Sequence, residues 1–275
     1  MKIDAHHHFW TYDPVEYGWI DDAMRLLRRD FLSEHLRAEI AAAGVDGVIS
    51  VQARQNLIET EWLLGHAEEN DFIKGVVGWV DLVSPKLGAQ LERFGANPRL
   101  KAVRHVVQDE PDDNFILRGD FKRGIRELGR FSLAYDILIY ERHLPQTIKF
   151  VDAHPKQVFV LDHLAKPRIR DNATDPWNRN IRELAKRTNV FCKISGMVTE
   201  ADYASWAEPQ LRPYFETVLE AFTPRRLMFG SDWPVCLVAC GYARWHQLVS
   251  SWISRLSRDE QARILGGTAI EAYRL

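Results

Sequence analysis

Eight short runs rich in β-branched and aromatic residues recur along the chain, each followed by a stretch of helical periodicity, and this alternation constrains the fold more than any other feature. The runs are KIDAH (2–6), GVISVQ (47–52), KGVVGWV (74–80), LKAVRHV (100–106), LAYDILIY (133–140), QVFVLDH (157–163), NVFCKIS (189–195) and a last one from Arg226 to Asp232. Trp233 and Pro234 break the last run. Between them, residues 31–44 carry Phe31, Leu32, Leu36 and Ile40 as an apolar stripe with Gly44 as a stop, and residues 56–70 show the same period. Strand and helix alternating eight times in 275 residues, with no Pro/Gly/Ser linker to divide them, predict an α/β fold: a (β/α)8 TIM barrel spanning residues 1–275 as one domain. An open doubly wound sheet is the alternative, but no Gly-x-Gly-x-x-Gly follows the first run.

The barrel gives a location to the opening stretch MKIDAHHHFW. Three histidines between Ala5 and Phe9 end a strand rather than form a tag. By strand alternation His6 and His8 share a face and His7 takes the other. Barrel active sites lie at the C-terminal ends of the strands, where this chain also places Gln52, Arg54, Trp79, Arg104, His105, Asp136, Asp162, His163, Lys193, Ser195, Ser231 and Asp232. Any one of these is most simply a solvated or internally paired residue; their collection at one rim points to a site. Parity admits one of each adjacent pair. Arg104 and His163 are expected to line the barrel, Asp162 to pack outward against helix termini, and His105 to enter the site only through a strand-end twist or bulge.

Composition narrows the partners. A net charge of −2 with dispersed charges gives no footprint for nucleic acid, and no apolar run is long enough for a membrane span. Cys192, Cys236 and Cys240 form neither a disulfide framework nor a thiolate metal cluster, which fits a reducing, cytoplasmic setting. A small-molecule partner is expected, and a homo-oligomer is compatible with the sequence.

Asp-Ala-His-His-His-Phe-Trp (4–10), Val-Gln-Ala-Arg (51–54), Val-Arg-His (103–105), Leu-Asp-His-Leu-Ala-Lys-Pro (161–167), Cys-Lys-Ile-Ser-Gly (192–196) and Met-Phe-Gly-Ser-Asp-Trp-Pro-Val-Cys (228–236) resemble the amidohydrolase superfamily. More narrowly they are similar to its sugar-lactone hydrolase branch, the L-fuconolactonase and L-rhamnonolactonase-like proteins. The resemblance implies a metal-assisted site whose inner residues match His6, His8, His163 and Asp232. Two departures restrict it. The fourth run has only Lys101, at the wrong end for a bridging lysine, and the fifth offers Tyr135, Asp136 and Tyr140 instead of a histidine, with His143 already in the following helix. One divalent metal, zinc, on His6, His8 and Asp232 is therefore expected rather than two, and Asp232 can act as base with or without it. The implied reaction is hydrolysis of a sugar lactone, with Asp232 and His163 catalytic and Trp19, Gln52, Arg54, Trp79, Arg104 and His105 binding substrate. A decarboxylase of the same superfamily and a non-catalytic sugar-acid binder are the alternatives.

Overall fold

The computed structural model describes residues 1–275. Eight parallel strands lie in sequence order in one sheet: β1 (Ile3–His7), β2 (Gly47–Val51), β3 (Ile73–Gly78), β4 (Leu100–Val106), β5 (Ala134–Leu138), β6 (Phe159–Leu161), β7 (Val190–Ile194) and β8 (Leu227–Phe229). Asp232 N donates to His6 O (2.8 Å) and His8 N to Trp233 O (2.7 Å), so the last strand returns to the first and the (β/α)8 barrel closes. The outer helices are α1 (Ser33–Ala43), α2 (Leu57–Glu69), α3 (Leu87–Gly95), α4 (Gly119–Leu128), α5 (Leu144–Asp152), α6 (Trp177–Ala185), α7 (Glu208–Phe222) and α8 (Tyr242–Ile253). Two short helices follow, α9 (Arg258–Ala262) and α10 (Thr268–Tyr273).

The apolar residues divide between two cores, as alternation along a barrel strand requires. The larger lies between sheet and helices, where Leu36 and Ile40 of α1 pack. Helix α1 ends at Gly44, whose φ of 65° is the left-handed cap that glycine adopts without steric cost. The smaller core fills the barrel: Ala5, Ile49, Val51, Val77, Ala102, Val160 and Met228 stack inside it, and Ala269, Ala272 and Tyr273 of α10 join them. That apolar plug leaves only the opposite end of the barrel open, at the C-terminal ends of the strands.

Strand β1 is not regular. Asp4 pairs with Val48 and His7 with Ser50, so Ala5 and His6 together face Ile49 alone. This extra residue is a β-bulge, and it lets Ala5 and His6 both point inward. His6 N donates to Asp4 Oδ1 (3.1 Å), and the same oxygen accepts from Ser231 N (2.8 Å), tying the bulge to the end of β8.

Candidate active site

Above the inner core, His8, His163 and Asp232 line a cavity of about 740 Å3, with His6 buried directly against His8 and Asp232. His8 donates its Nδ1 hydrogen to Val51 O (2.8 Å), because a carbonyl can only accept, and this leaves the Nε2 lone pair facing the cavity. His6 Nδ1 lies between a donor, Lys193 Nζ at 3.1 Å, and an acceptor, Asp162 Oδ1 at 3.4 Å, so both tautomers of the ring have a partner. Burial and the Lys193 charge keep His6 neutral, its pKa well below the ordinary histidine value. His163 Nδ1 contacts Ser195 Oγ (2.9 Å), and burial lowers its pKa to about 4. Burial alone would raise the Asp232 carboxyl; the neighbouring His163 and His8 imidazoles outweigh it and hold the group below the usual carboxylate range. Asp232 is an anion at neutral pH.

The three ligand atoms form a triangle: His6 Nε2 to His8 Nε2 is 3.2 Å, His8 Nε2 to Asp232 Oδ1 is 3.5 Å, and His6 Nε2 to Asp232 Oδ1 is 3.7 Å. A point equidistant from atoms so spaced is about 2.0 Å from each, the bond length of zinc to imidazole nitrogen and carboxylate oxygen. The donor set fits one divalent cation. His163 Nε2 stands farther off, 4.0 Å from Asp232 Oδ1.

Beneath the triangle lies a buried ionic ladder. Lys193 Nζ is 2.6 Å from Asp136 Oδ2 and 2.9 Å from Asp162 Oδ1, Arg104 Nη1 is 2.9 Å from Asp162 Oδ2, and Tyr273 Oη donates to Asp136 Oδ2 (2.7 Å). Burial, only partly offset by Lys193, raises Asp136 to about 6. Burial also acts to raise Asp162, but Lys193, His6 and Arg104 overcome it and drive its pKa well below the ordinary value.

Arg104 reaches the cavity with His163, but the outward placement expected for Asp162 is wrong. Strand β6 ends at Leu161, and His163, Leu164, Ala165 and Lys166 then take φ of 52°, 55°, 61° and 47°. Alternation from Val160 of the inner core already points Asp162 to the barrel interior, and the left-handed turn that follows brings His163, of the opposite parity, to the cavity as well. Gly196, at φ 65°, permits this arrangement: a Cβ there would lie 2.6 Å from His163 Nδ1. His105 is a second correction. From Ala102 to Val106 β4 pairs with β5 without a break, so His105 points away from Arg104, stacks on Phe115 and contacts Glu110 (2.6 Å) outside the cavity. Gln52 is fully buried and bonds Arg104 through both its carbonyl oxygens, so it braces that guanidinium instead of lining the cavity. Trp79 also stands outside, its backbone held by Thr60 Oγ1. Trp19 and Arg54 do line the cavity, Arg54 being paired with Glu16 (2.9 Å) and Glu59 (3.3 Å). Lys166, Glu200, Tyr203 and Gln108 also line it. They sit on loops, where strand alternation gives no signal; the one trace of them in the sequence is Lys166 within the His-Leu-Ala-Lys-Pro stretch.

A family model described as amidohydrolase matches residues 3–275. The chain belongs to the amidohydrolase family. It is 40% identical to an L-fucono-1,5-lactonase of Burkholderia multivorans (strain ATCC 17616 / 249), over 100% of this chain and 96% of that protein. A second L-fucono-1,5-lactonase, from Burkholderia ambifaria, is 34% identical over 100% of this chain and 96% of its own length. Among solved structures, an amidohydrolase from Burkholderia multivorans crystallised with bound zinc superposes with a TM-score of 0.97 at 40% identity, covering 100% of this chain and 99% of the other. No helix of this amidohydrolase is long and apolar enough to cross a membrane.

Proposed function

We propose that this amidohydrolase opens a sugar-derived lactone to the open-chain sugar acid. The observation that carries the proposal is the His6, His8 and Asp232 triangle, with an ionised carboxylate, that meets a cavity of about 740 Å3 through His8 and Asp232, in a chain 40% identical to an L-fucono-1,5-lactonase. His6, His8 and Asp232 would hold one divalent cation, zinc by the donor set and by likeness to the zinc-bound relative. Bound there, the ion supplies Lewis acidity at the lactone carbonyl and a lowered pKa for water.

The chain's own groups serve the remaining steps. All three imidazole contacts of Asp232 are to Oδ1, which leaves Oδ2 without an imidazole partner and able to take a proton from the attacking water. Hydroxide adds to the carbonyl carbon, the carbonyl oxygen becomes an oxyanion, and His163 Nε2 offers it a hydrogen bond while the Arg104 guanidinium, held by Asp162 and Gln52, contributes positive charge beside it. As the ring carbon–oxygen bond breaks, the proton held by Asp232 passes to the departing ring oxygen, giving a hydroxy acid and regenerating the carboxylate. Asp162, Lys193 and Gln52 touch no substrate in this scheme; they fix His6 and Arg104.

A panel of aldonolactones in weakly buffered pH indicator tests the proposal. The protein should release one proton per lactone opened, contain about one equivalent of divalent metal, and lose at least about a hundredfold in kcat on Asp232→Asn, the scale of a positioned acid–base group. No acid release on any lactone would refute the function. A loss below tenfold in folded Asp232→Asn would remove Asp232 from the base role.

A further inference from the structure

The geometry points to Lys166 and Glu200 as a donor–acceptor pair that reads adjacent hydroxyl groups on the substrate ring and so sets which lactone is accepted. This inference rests on the lactonase function proposed above.

Most charged groups around the cavity are already committed to protein partners. Arg54 is held by Glu16 and Glu59, and Arg104 by Asp162 and Gln52. Lys166 and Glu200 are different. Lys166 Nζ is 3.8 Å from Glu200 Oε1, beyond hydrogen-bond distance, and neither side chain hydrogen-bonds to any other protein group. Both are about four-fifths buried and both line the cavity that holds His163 and Asp232. An ammonium and a carboxylate so enclosed keep most of their hydrogen-bonding capacity for what enters the cavity.

The backbone aims them there. Lys166 closes the left-handed turn that begins at His163, with Lys166 N donating to His163 O (2.7 Å). In a turn of about three residues, the first and fourth side chains share a face, so the conformation that presents His163 to Asp232 presents Lys166 to the same cavity. Left-handed conformation at non-glycine residues costs roughly 1–2 kcal/mol each. Burial of Leu164 and Ala165 and the bond from Trp177 Nε1 to Leu164 O (2.7 Å) hold it in place. Glu200 comes from the loop after β7, and Arg170 N donates to its carbonyl oxygen (2.9 Å), so the two loops are fixed to each other. The pair is preorganised.

Its chemistry selects a neutral diol. A carboxylate ligand would face Glu200 and a cationic one would face Lys166, whereas two adjacent hydroxyls satisfy both: one accepts from Nζ and the other donates to the carboxylate. Gln108, also on the cavity wall, has a buried Oε1 with no partner, a further acceptor for a polyhydroxylated ligand.

The test is a set of lactones differing by one hydroxyl, each removed or inverted in turn, with kcat/KM measured for the wild-type protein, Lys166→Met, Glu200→Met, Lys166→Arg and Glu200→Gln. In the wild type, losing a hydroxyl read by the pair should lower kcat/KM by roughly 10- to 100-fold, the worth of a hydrogen bond to a charged group. The Met variants should compress that ratio to within about threefold, and the Arg and Gln variants, which keep a donor or an acceptor, should restore much of it. Met variants that slow every lactone equally while keeping the wild-type ratio would overturn the inference. So would a wild-type profile in which no single hydroxyl matters by more than threefold, a result that needs no variant to fold. A wild-type protein that opens no lactone at all removes the proposed function, and the inference with it; the two failures are thus distinguishable.

Discussion

Replacing Lys193 with methionine removes the only ammonium inside the barrel and leaves its two carboxylates to their remaining partners. Asp162 keeps Arg104 at 2.9 Å, but Asp136 keeps only the Tyr273 hydroxyl. Breaking a fully buried pair by deleting one partner costs about 3–5 kcal/mol, and all three side chains are 0% exposed, so solvent screening gives no relief. For a domain of this size that is a fall in Tm of about 6–20 °C. The cost depends on pH with a definite sign. Asp136 already has a folded pKa of about 6, and without Lys193 it rises further. A carboxyl whose folded pKa is raised stabilises the fold below its unfolded pKa, and that contribution is lost as pH rises through the folded value. The deficit of Lys193→Met should therefore be largest at pH 8 and shrink toward pH 5. Urea denaturation of wild type, Lys193→Met and Lys193→Met/Asp136→Asn at both pH values measures it, and the double variant should recover most of the loss. A deficit below about 1 kcal/mol at pH 8, or one that does not change with pH, would refute the coupling of the ladder.

Gly196→Ala forces a Cβ to within 2.6 Å of the His163 ring at a φ of 65°; it should displace that imidazole, lowering kcat more than tenfold with a stability loss of about 1–2 kcal/mol, read by steady-state kinetics and thermal melting. His7→Ala should behave oppositely: His7 bonds Ser50 Oγ (2.9 Å) on the outer face, so stability falls by about 1–3 kcal/mol while kcat stays within threefold and metal content is unchanged. The wild-type Tm should fall as pH drops from 6.5 toward 4. His6, His7, His105, His163 and His246 all have lowered folded pKa values, so the unfolded chain binds more protons in that window, and these five outweigh the opposite contribution of the four raised carboxyls, Asp4 and Asp136 at about 6 and Glu59 and Glu200 raised by burial. A Tm that rises over this range in a differential scanning series would contradict that balance.

The barrel was legible because it is written as periodicity: each predicted run overlaps an observed strand, and helices expected at 31–44 and 56–70 appear at Ser33–Ala43 and Leu57–Glu69. The strand-end positions of His6, His8, Arg104 and Asp232 follow from the same pattern. Departures from regular backbone were not legible. The bulge at Ala5 and His6 is one extra residue opposite Ile49, and nothing in their chemistry announces it. The left-handed turn includes Leu164 and Ala165, residues with no preference for positive φ, and is imposed by their burial and by Trp177. Alternation from Val160 allows only Asp162 inside, and it is this turn that admits His163 beside it, so choosing one of the pair misplaced Asp162. His105 fails for the opposite cause: β4 is regular from Ala102 to Val106, so no irregularity at its end admits the imidazole.

These irregularities are what assemble the site. An unbroken strand offers every second side chain to the barrel interior, and that spacing alone does not bring His6, His8, His163 and Asp232 together. The bulge turns His6 and His8 inward, the turn after β6 brings His163 to the cavity next to an Asp162 that alternation already points inward, and a φ of 58° at Asp232 ends the line of β8 where the carboxylate meets the imidazoles. Each departure leaves backbone groups that the ladder no longer serves, and each is answered locally: Asp4 Oδ1 takes His6 N and Ser231 N, Leu164 O takes Trp177 Nε1, and Asp232 N donates to His6 O. Asp4 joins two of the three, since it holds the bulge and the end of β8 through one oxygen. The spacing of the triangle is thus set by hydrogen bonds behind the site, which a cation or substrate finds already made.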